Sequence, residues 1–198
     1  MFSQLLLNKL YLDKKLSSSQ ISKRLKCSEH KVNYWLEKFS IKKRSISEAI
    51  YIRANPKGDP FLFRNPDSDS IWFLYGLGIG LYWGEGTKRS KHSVRLGNSD
   101  PMLIKKFMEF LYKLYGINKN QLAFGLQIFG DMDSQETLKF WCQKLNIRKS
   151  QFYKLVITPY RGVGNYRQKT KYGVLTVHFH NKKLRDIICR TIEEQSMI

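Results

Sequence analysis

Acidic residues, cysteine and proline are all scarce in this chain. Of its 198 residues, 16 are Asp or Glu against 35 Lys or Arg, which gives a formal net charge of +19. The three cysteines, Cys27, Cys142 and Cys189, stand far apart and form no Cys-x-x-Cys pair. This spacing excludes a zinc finger and favours a reducing compartment. We therefore expect an intracellular protein, cytoplasmic or associated with the nucleoid, with an organelle as the alternative.

Long hydrophobic runs are also lacking. The longest uncharged stretch, residues 70–84, has 15 residues, and roughly 18 to 20 apolar residues are needed to span a bilayer. The amino-terminal residues do not have the layout of a signal peptide, so no membrane partner is expected. Apolar residues make up 42% of the chain, which is enough for a folded core.

The positive charge indicates a polyanionic partner. Residues 148–183 contain nine basic residues and no acid, with six aromatic residues interspersed among them. A surface that is charged only for solubility normally mixes both signs, so phosphate binding is the better interpretation. Double-stranded DNA is the expected partner.

Residues 1–52 have the pattern of a helix-turn-helix domain. Leucines at near-helical spacing predict a first helix, Ile21 and Leu25 mark a short second helix, and Ser28 is placed to cap a third over residues 29–39. Two short helices joined by about three residues resemble the DNA-binding modules of bacterial regulators and transposases. The alternative is a three-helix bundle that only packs on the rest of the chain. The residues expected to contact DNA are His30, Lys31, Asn33 and Tyr34, of which Asn33 suits an adenine edge.

An apolar, glycine-rich helix is predicted, capped by Asp69 or Ser70 and running to about Gly84. Gly76, Gly80 and Gly84 then fall on one face, where each glycine costs about 0.8 to 1 kcal/mol relative to alanine. A second helix pressed against this stripe would offset that cost. The simplest partner is an identical subunit, so a homodimer is expected.

Glu85 comes next, at the carboxyl end of this helix, where the helix dipole and free carbonyl groups disfavour a carboxylate. A divalent cation would resolve the conflict, because carboxylate and carbonyl oxygens are ligands that Mg²⁺ accepts. If two such helices cross, two copies of Glu85 meet, and paired metal sites could hydrolyse a phosphodiester bond. The alternative is a buried helix that ends in a solvated glutamate.

Residues 78–86, GIGLYWGEG, resemble the LAGLIDADG motif of homing endonucleases, and VRLGNSDPMLIKKFMEFLYKLYG resembles the strand and the N-S-D-P helix start of compact members. The likeness covers roughly residues 69–194. It implies an α+β domain whose saddle-shaped antiparallel sheet lies over the DNA major groove, with Mg²⁺ held by Glu85 and Gly86. Trp83 stands where many members have a second acid. The implied dimer-interface residues are Gly76, Gly80, Tyr82, Trp83 and Gly84.

The rest of the chain can supply such a domain. Residues 53–68, with three prolines, predict a linker before a second domain of residues 69–198. Periodicity predicts strands near residues 93–97, 121–129, 152–158 and 173–180, and helices over residues 102–115, 134–145 and 182–194. The family generally has a basic residue near the scissile phosphate, for which Lys171 and then Lys88 are candidates. The expected DNA-binding residues here are Arg95, Gln127, Lys154, Arg161, Arg167, Lys169 and His178.

His178 and His180 alternate on a predicted strand and share one face. With no third histidine or cysteine nearby, two histidines that face DNA or are merely half-buried are a better interpretation than half of a metal site.

Together these features predict a site-specific, Mg²⁺-dependent double-strand DNA endonuclease that acts as a homodimer on a pseudo-palindromic site. A regulator that binds DNA on a LAGLIDADG-like fold without cutting is one alternative, although the acid at Glu85 argues against it. An RNA maturase that binds intron RNA is another, and the sequence leaves it open.

Overall fold

The computed structural model describes residues 2–159 and 170–195 and has the predicted α+β class. The chain forms two compact units, Met1–Pro60 and Phe61–Ile198. Each unit has its own hydrophobic core, so each is described by itself.

The boundary between the units lies inside the predicted linker of residues 53–68. The N–H groups of Leu62 and Arg64 donate to the backbone carbonyls of Tyr115 and Leu114, at 2.9 and 2.7 Å. Aromatic residues in this stretch also cover the core of the second unit. The prolines give the segment the composition of a linker, but half of it is paired with the second unit.

Serine caps define the helices of the first unit. The side chains of Ser3, Ser17, Ser28 and Ser45 each accept a hydrogen bond from a backbone N–H in the first turn, and Ser28 has the predicted role. The fully buried side chains include Leu7, Ile21, Val32 and Leu36. The helices are α1 (Gln4–Leu7), which continues as a π-helical turn (Asn8–Asp13), α2 (Ser18–Arg24), α3 (Glu29–Lys38) and α4 (Ile46–Ala54).

The last of these, α4, is a helix that the sequence pattern did not predict. None of its residues is buried, so it lacks the apolar stripe on which such a prediction depends. It begins with a capping box, in which the N–H of Ser45 donates to the Glu48 carboxylate at 2.7 Å. These hydrogen bonds from Ser45 lower the pKa of Glu48.

The helices of the second unit agree closely with the sequence patterns. Asp100 and Asp133 cap two of them through their carboxylates. The first helix has Ser68 at its N-cap, one residue before the nearer of the two predicted cap residues. Gly116 and Asn146 end two helices in the left-handed conformation. The helices are α5 (Asp69–Glu85), α6 (Pro101–Tyr115), α7 (Ser134–Leu145) and α8 (Lys182–Gln195).

Four strands of the second unit form one mixed sheet: β1 (Val94–Asn98), β2 (Ala123–Phe129), β3 (Val156–Thr158) and β4 (Val174–Phe179), in the order β1-β4-β2-β3. Both β1 and β2 pair antiparallel with β4, but β3 pairs parallel with β2. The prediction of a purely antiparallel sheet is therefore wrong. The reason is α7, because a helix between two neighbouring strands returns the chain to the end where the first strand began.

Side chains alternate between the two faces of this sheet. One face packs under α5, α6 and α8, and Leu96, Phe124 and Val177 are fully buried there. The other face, which we call the open face, keeps partial exposure in the second unit. It consists of Arg95, Gly97, Ala123, Gly125, Gln127, Val174, Thr176 and His178.

Candidate active site and nucleic-acid interface

An exposed carboxylate ends α5. Glu85 is the last residue of the helix, and no group of the described residues donates a hydrogen bond to its side chain. Gly86 then leaves the helix in an extended conformation, with its N–H donating to the Tyr82 carbonyl at 2.9 Å. A Cβ at residue 86 would lie 2.3 Å from that carbonyl oxygen, so this close approach requires glycine.

The residues after Glu85 join the edge of the sheet. Gly86 forms an antiparallel bridge with Leu96, and the N–H of Thr87 donates to the carbonyl of Arg95 at 2.9 Å. Since paired strands lie about 4.8 Å apart, the acid is placed beside the strand that carries Arg95 on the open face.

The two basic candidates lie in different places. The Lys88 ammonium donates to the carbonyl of Trp83, at a helix end where the dipole favours a cation. Lys171 instead borders a shallow cavity with Asp133 and other residues near the start of α7. The structure therefore brings Lys88, and not the preferred candidate Lys171, to the end of the helix that carries Glu85.

Three glycines of α5, Gly76, Gly80 and Gly84, face away from the core of their own unit. A Cβ added at any of them would meet no atom within 4 Å, and we call this surface the glycine face. Gly78 behaves differently, because a Cβ there would lie 2.2 Å from the Phe110 ring of α6. Large apolar side chains of α5 are exposed as well: Trp72, Phe73 and Trp83.

Tyr82 does not take part in this exposed surface. It is fully buried, and its ring stacks on Phe107 with the centroids 6.0 Å apart. The prediction that Tyr82 lies at a dimer interface is wrong, because a residue two positions after Gly80 is about 200° around the helix. Burial raises the pKa of Tyr82 to about 12.

Three predicted DNA-binding residues share the open face: Arg95 of β1, Gln127 of β2 and His178 of β4, the strand between them. Arg95 lies opposite His178, and Gln127 lies opposite Val174. The Gln127 amide donates from Nε2 to Oγ1 of Thr158 at 2.9 Å, which fixes the side chain and presents Oε1 as an acceptor. No strand contains Asp or Glu in the part of the chain that the structure describes, so no strand carboxylate repels phosphate.

His178 belongs to an aromatic cluster with Tyr153 and His180. Its ring centroid lies 5.3 Å from that of Tyr153 and 5.9 Å from that of His180, and the Tyr153 hydroxyl hydrogen-bonds Nε2 of His180. Burial, with smaller contributions from Arg95 and His180, lowers the pKa of His178 to about 4. The ring is therefore neutral at physiological pH, and it lies on the open face as an uncharged polar group.

Other predicted DNA-binding residues of this unit remain untested. Lys154 is exposed two residues before β3. Arg161, Arg167 and Lys169 lie outside the residues that the structure describes, so their role stays a prediction.

In the first unit, α3 presents His30, Lys31 and Tyr34 to solvent. Asn33 is different, because its Oδ1 accepts a hydrogen bond of 2.9 Å from the Ser18 hydroxyl of α2. This contact makes Asn33 a link between the two helices, a role that the sequence did not predict, and its contact with an adenine edge stays a prediction. A short polar residue facing a neighbouring helix looks the same in sequence as one facing solvent.

The oxygen atoms at the end of α5 are of the kind that binds Mg²⁺, but one chain supplies too few of them to hold the ion alone. Within residues 2–159 and 170–195, no cluster of three His, Cys, Asp or Glu side chains could hold a metal ion. One chain offers the Glu85 carboxylate and nearby backbone carbonyls, including that of Gly86. Mg²⁺ accepts one or two carboxylates together with waters and phosphate oxygens, so the set fits if DNA or a second subunit completes it.

Two residues that the sequence did not single out contact residues of this region from distant parts of the chain. Tyr153 hydrogen-bonds His180, and Arg185 donates to the backbone carbonyl of Lys88.

Among the described helices, none is long and apolar enough to cross a membrane. Comparison of the chain with protein-family models, curated proteins and solved structures finds no match. Function is therefore inferred from the arrangement of the residues themselves.

Proposed function

We propose that this chain is a homodimeric, Mg²⁺-dependent endonuclease of the LAGLIDADG type that cuts double-stranded DNA at a specific site. The position of Glu85 carries the proposal. This exposed carboxylate ends a helix with an open glycine face, and it lies next to a sheet edge whose open face bears Arg95 and no acid. A solvated glutamate on an isolated helix would have neither neighbour.

The open face binds the duplex in this proposal. Basic residues neutralise phosphates, while Arg95 and Gln127 contact base edges, as guanidinium and amide groups commonly do. Glu85 binds the metal ion, and Lys88 holds positive charge close to the phosphate. When bound, Mg²⁺ supplies the Lewis acidity that activates water and stabilises the leaving oxygen.

The glycine face of α5 packs against its copy in a second subunit. Exposed glycines allow two helix backbones to approach closely, and the crossing brings two Glu85 side chains together. Each subunit then cuts one strand, and the two-fold axis requires a pseudo-palindromic site. The first unit acts as a helix-turn-helix module whose α3 adds contacts to flanking DNA and raises affinity through linkage.

Cleavage of the uninterrupted target site tests this proposal. The purified chain is incubated with Mg²⁺ and a plasmid that carries the two sequences flanking its own gene, joined without the gene. Glu85→Gln removes the charge and keeps the shape, and Glu194→Gln makes the same change at an exposed position of α8.

Wild type and Glu194→Gln are expected to cut the joined site, and Glu85→Gln is expected to bind it without cutting. Binding without cleavage by all three proteins would instead identify a DNA-binding regulator. Stimulated splicing of an intron RNA, with no DNA cleavage, would identify a maturase.

A further inference from the structure

Arg185 of α8 reaches the segment that comes after Glu85. Its guanidinium donates from Nη2 to the backbone carbonyl of Lys88, across 97 positions of sequence, and from Nη1 to Oδ1 of Asp186 at 3.0 Å. Asp186 in turn pairs with Lys182. The Arg185 side chain is only 18% exposed, and its buried Nε has no partner among the described residues.

The contacts of the Arg185 guanidinium outweigh its loss of water. Burial disfavours the charge, but the hydrogen bond with Asp186 and the nearby negative charge raise the pKa of Arg185 above its usual value. The planar guanidinium donates to a carboxylate and to a backbone carbonyl from two different nitrogen atoms, whereas the ammonium of lysine has a single nitrogen. The carbonyl that Arg185 contacts lies three residues after Glu85.

Residues 86–88, which we call the anchor segment, are held at four points. Gly86 donates to the Tyr82 carbonyl and Thr87 to the Arg95 carbonyl. The Lys88 ammonium donates to the Trp83 carbonyl, and the Lys88 carbonyl accepts from Arg185. Three of these contacts join α5 or β1, and Arg185 supplies the one that comes from α8.

We propose that Arg185 is a positioning residue, which holds the anchor segment and so fixes Glu85 and Lys88 in the geometry that metal binding and cleavage require. The inference rests on the proposed nuclease function for its catalytic consequence. Arg185 does not touch DNA or metal in this role. It acts through the backbone of the two charged residues that do.

Arg185→Gln and Arg190→Gln form a matched pair for the test. Both variants remove one positive charge from α8, and Arg190 is exposed, so the comparison separates the loss of charge from the loss of the Arg185 contacts. Three quantities are measured on the full chain: amide hydrogen exchange at Gly86 and Thr87, single-turnover cleavage as a function of Mg²⁺ concentration, and the Kd for the joined target site in Ca²⁺.

In Arg185→Gln, exchange at both amides is expected to accelerate about tenfold or more, and cleavage at saturating Mg²⁺ to slow roughly ten- to a hundredfold, as small misplacements of reacting groups do. The Kd for DNA should stay within about twofold of that of Arg190→Gln. A residue needed only for folding would change the Kd and the cleavage rate together. Arg185→Lys keeps the charge without the planar guanidinium, and it should show the same separation if Arg185→Gln does not fold.

Equal amide exchange in Arg185→Gln and Arg190→Gln would overturn the inference, whether or not the protein cuts DNA. Faster exchange with an unchanged cleavage rate would overturn it as well. A wild-type chain that fails to cut removes the proposed nuclease function alone, because the exchange measurement still shows whether Arg185 holds the anchor segment.

Discussion

Glu85 and Lys88 lie three residues apart at the carboxyl end of α5 and carry opposite charges. The Lys88 ammonium donates a hydrogen bond to the carbonyl of Trp83, close to where the proposed metal ion binds. In the nuclease proposal its charge stabilises the transition state more than the bound substrate, which is the condition for an effect on rate.

Replacing Lys88 by Met should therefore slow single-turnover cleavage roughly a hundredfold, as loss of an electrostatic group at a reacting centre does. The Kd for DNA should rise only slightly, because one phosphate contact is lost. Lys91→Met removes the same charge from the exposed loop before β1 and serves as control. Equal cleavage rates for the two variants would assign Lys88 a role in helix capping alone.

His178 makes the stability of the second unit depend on pH. Its pKa is about 4 when folded, against 6.5 for an unperturbed histidine. Above pH 6.5 the ring is neutral in both states. As the pH falls from 6.5 to about 4 the unfolded chain takes up a proton that the folded chain does not, so stability is lost in this window.

The loss should be roughly 1–2 kcal/mol, after a discount for the part of the ring that solvent reaches. The free energy of unfolding is measured by denaturant titration at pH 7 and pH 4.5 for wild type and His178→Gln. The difference between the two proteins cancels the titration of the carboxylates. A difference that does not change with pH would contradict the prediction.

Single residues were predictable from sequence where local pattern decides their place. The helix end located Glu85, and the alternation of apolar residues located the strands that carry Arg95, Gln127 and His178. That these three residues share one face follows from the pairing of the strands, which alternation within each strand does not give. Residues whose role depends on a distant partner were not predictable. Asn33 pairs with a neighbouring helix, and Arg185 reaches a carbonyl from the far end of the chain.

The helix α5 has two glycine surfaces with opposite requirements. Gly78 faces Phe110, where a Cβ would clash at 2.2 Å, whereas nothing lies within 4 Å of a Cβ at Gly80. Gly78→Ala should lower the free energy of unfolding by about 1–3 kcal/mol, the usual cost of overpacking. Gly80→Ala should raise it by about 0.8–1 kcal/mol through helix propensity.

Chemical denaturation below the dimer dissociation constant measures both changes. A loss of stability for Gly80→Ala under these conditions would show that the glycine face is occupied within one chain.

The proposed dimer gives a further prediction for the same element. Gly80→Leu should raise the dimer dissociation constant at least about tenfold, because a bulky side chain prevents close approach of the two helices. Sedimentation velocity measures this, with Gln143→Leu as a control that adds a leucine to an exposed position of α7. Unchanged self-association in Gly80→Leu would exclude the glycine face as the interface.

At the level of elements, most helices were predictable because caps and apolar periodicity act locally. The amphipathic helix α7 was predicted at its observed bounds, Ser134–Leu145. In contrast, α4 buries none of its residues and left no periodic pattern. The direction of β3 was also missed, since it is set by the crossover through α7 and not by residues of the strand.

The net charge of +19 belongs to the whole molecule. Each phosphate that a basic residue neutralises releases counterions, so the logarithm of the DNA association constant falls with the logarithm of salt concentration by about 0.9 per contact. If Lys31 and Lys38 of α3 contact phosphates, changing both to Gln should reduce this slope by about 1.8.

The slope is measured by titrating a fluorescent non-specific duplex at several salt concentrations. Lys106→Gln with Lys113→Gln is the control, because both lysines pair with Glu109 at 2.9 Å and the net charge lost is identical. An equal reduction in both double variants would mean that α3 makes no special contribution.

The order of strands has a consequence for biosynthesis. The last strand of the sheet to be translated, β4, lies between β1 and β2. Until residue 179 has left the ribosome, β1 therefore has no neighbouring strand and β2 has only the short β3 beside it. The amino-terminal unit needs no later residue for its own core and is complete much sooner. A nascent chain therefore passes through a stage in which the basic amino-terminal unit is folded and the sheet is not yet assembled. At that stage Phe124, Leu126 and other core side chains are exposed to solvent, and chaperones can bind them.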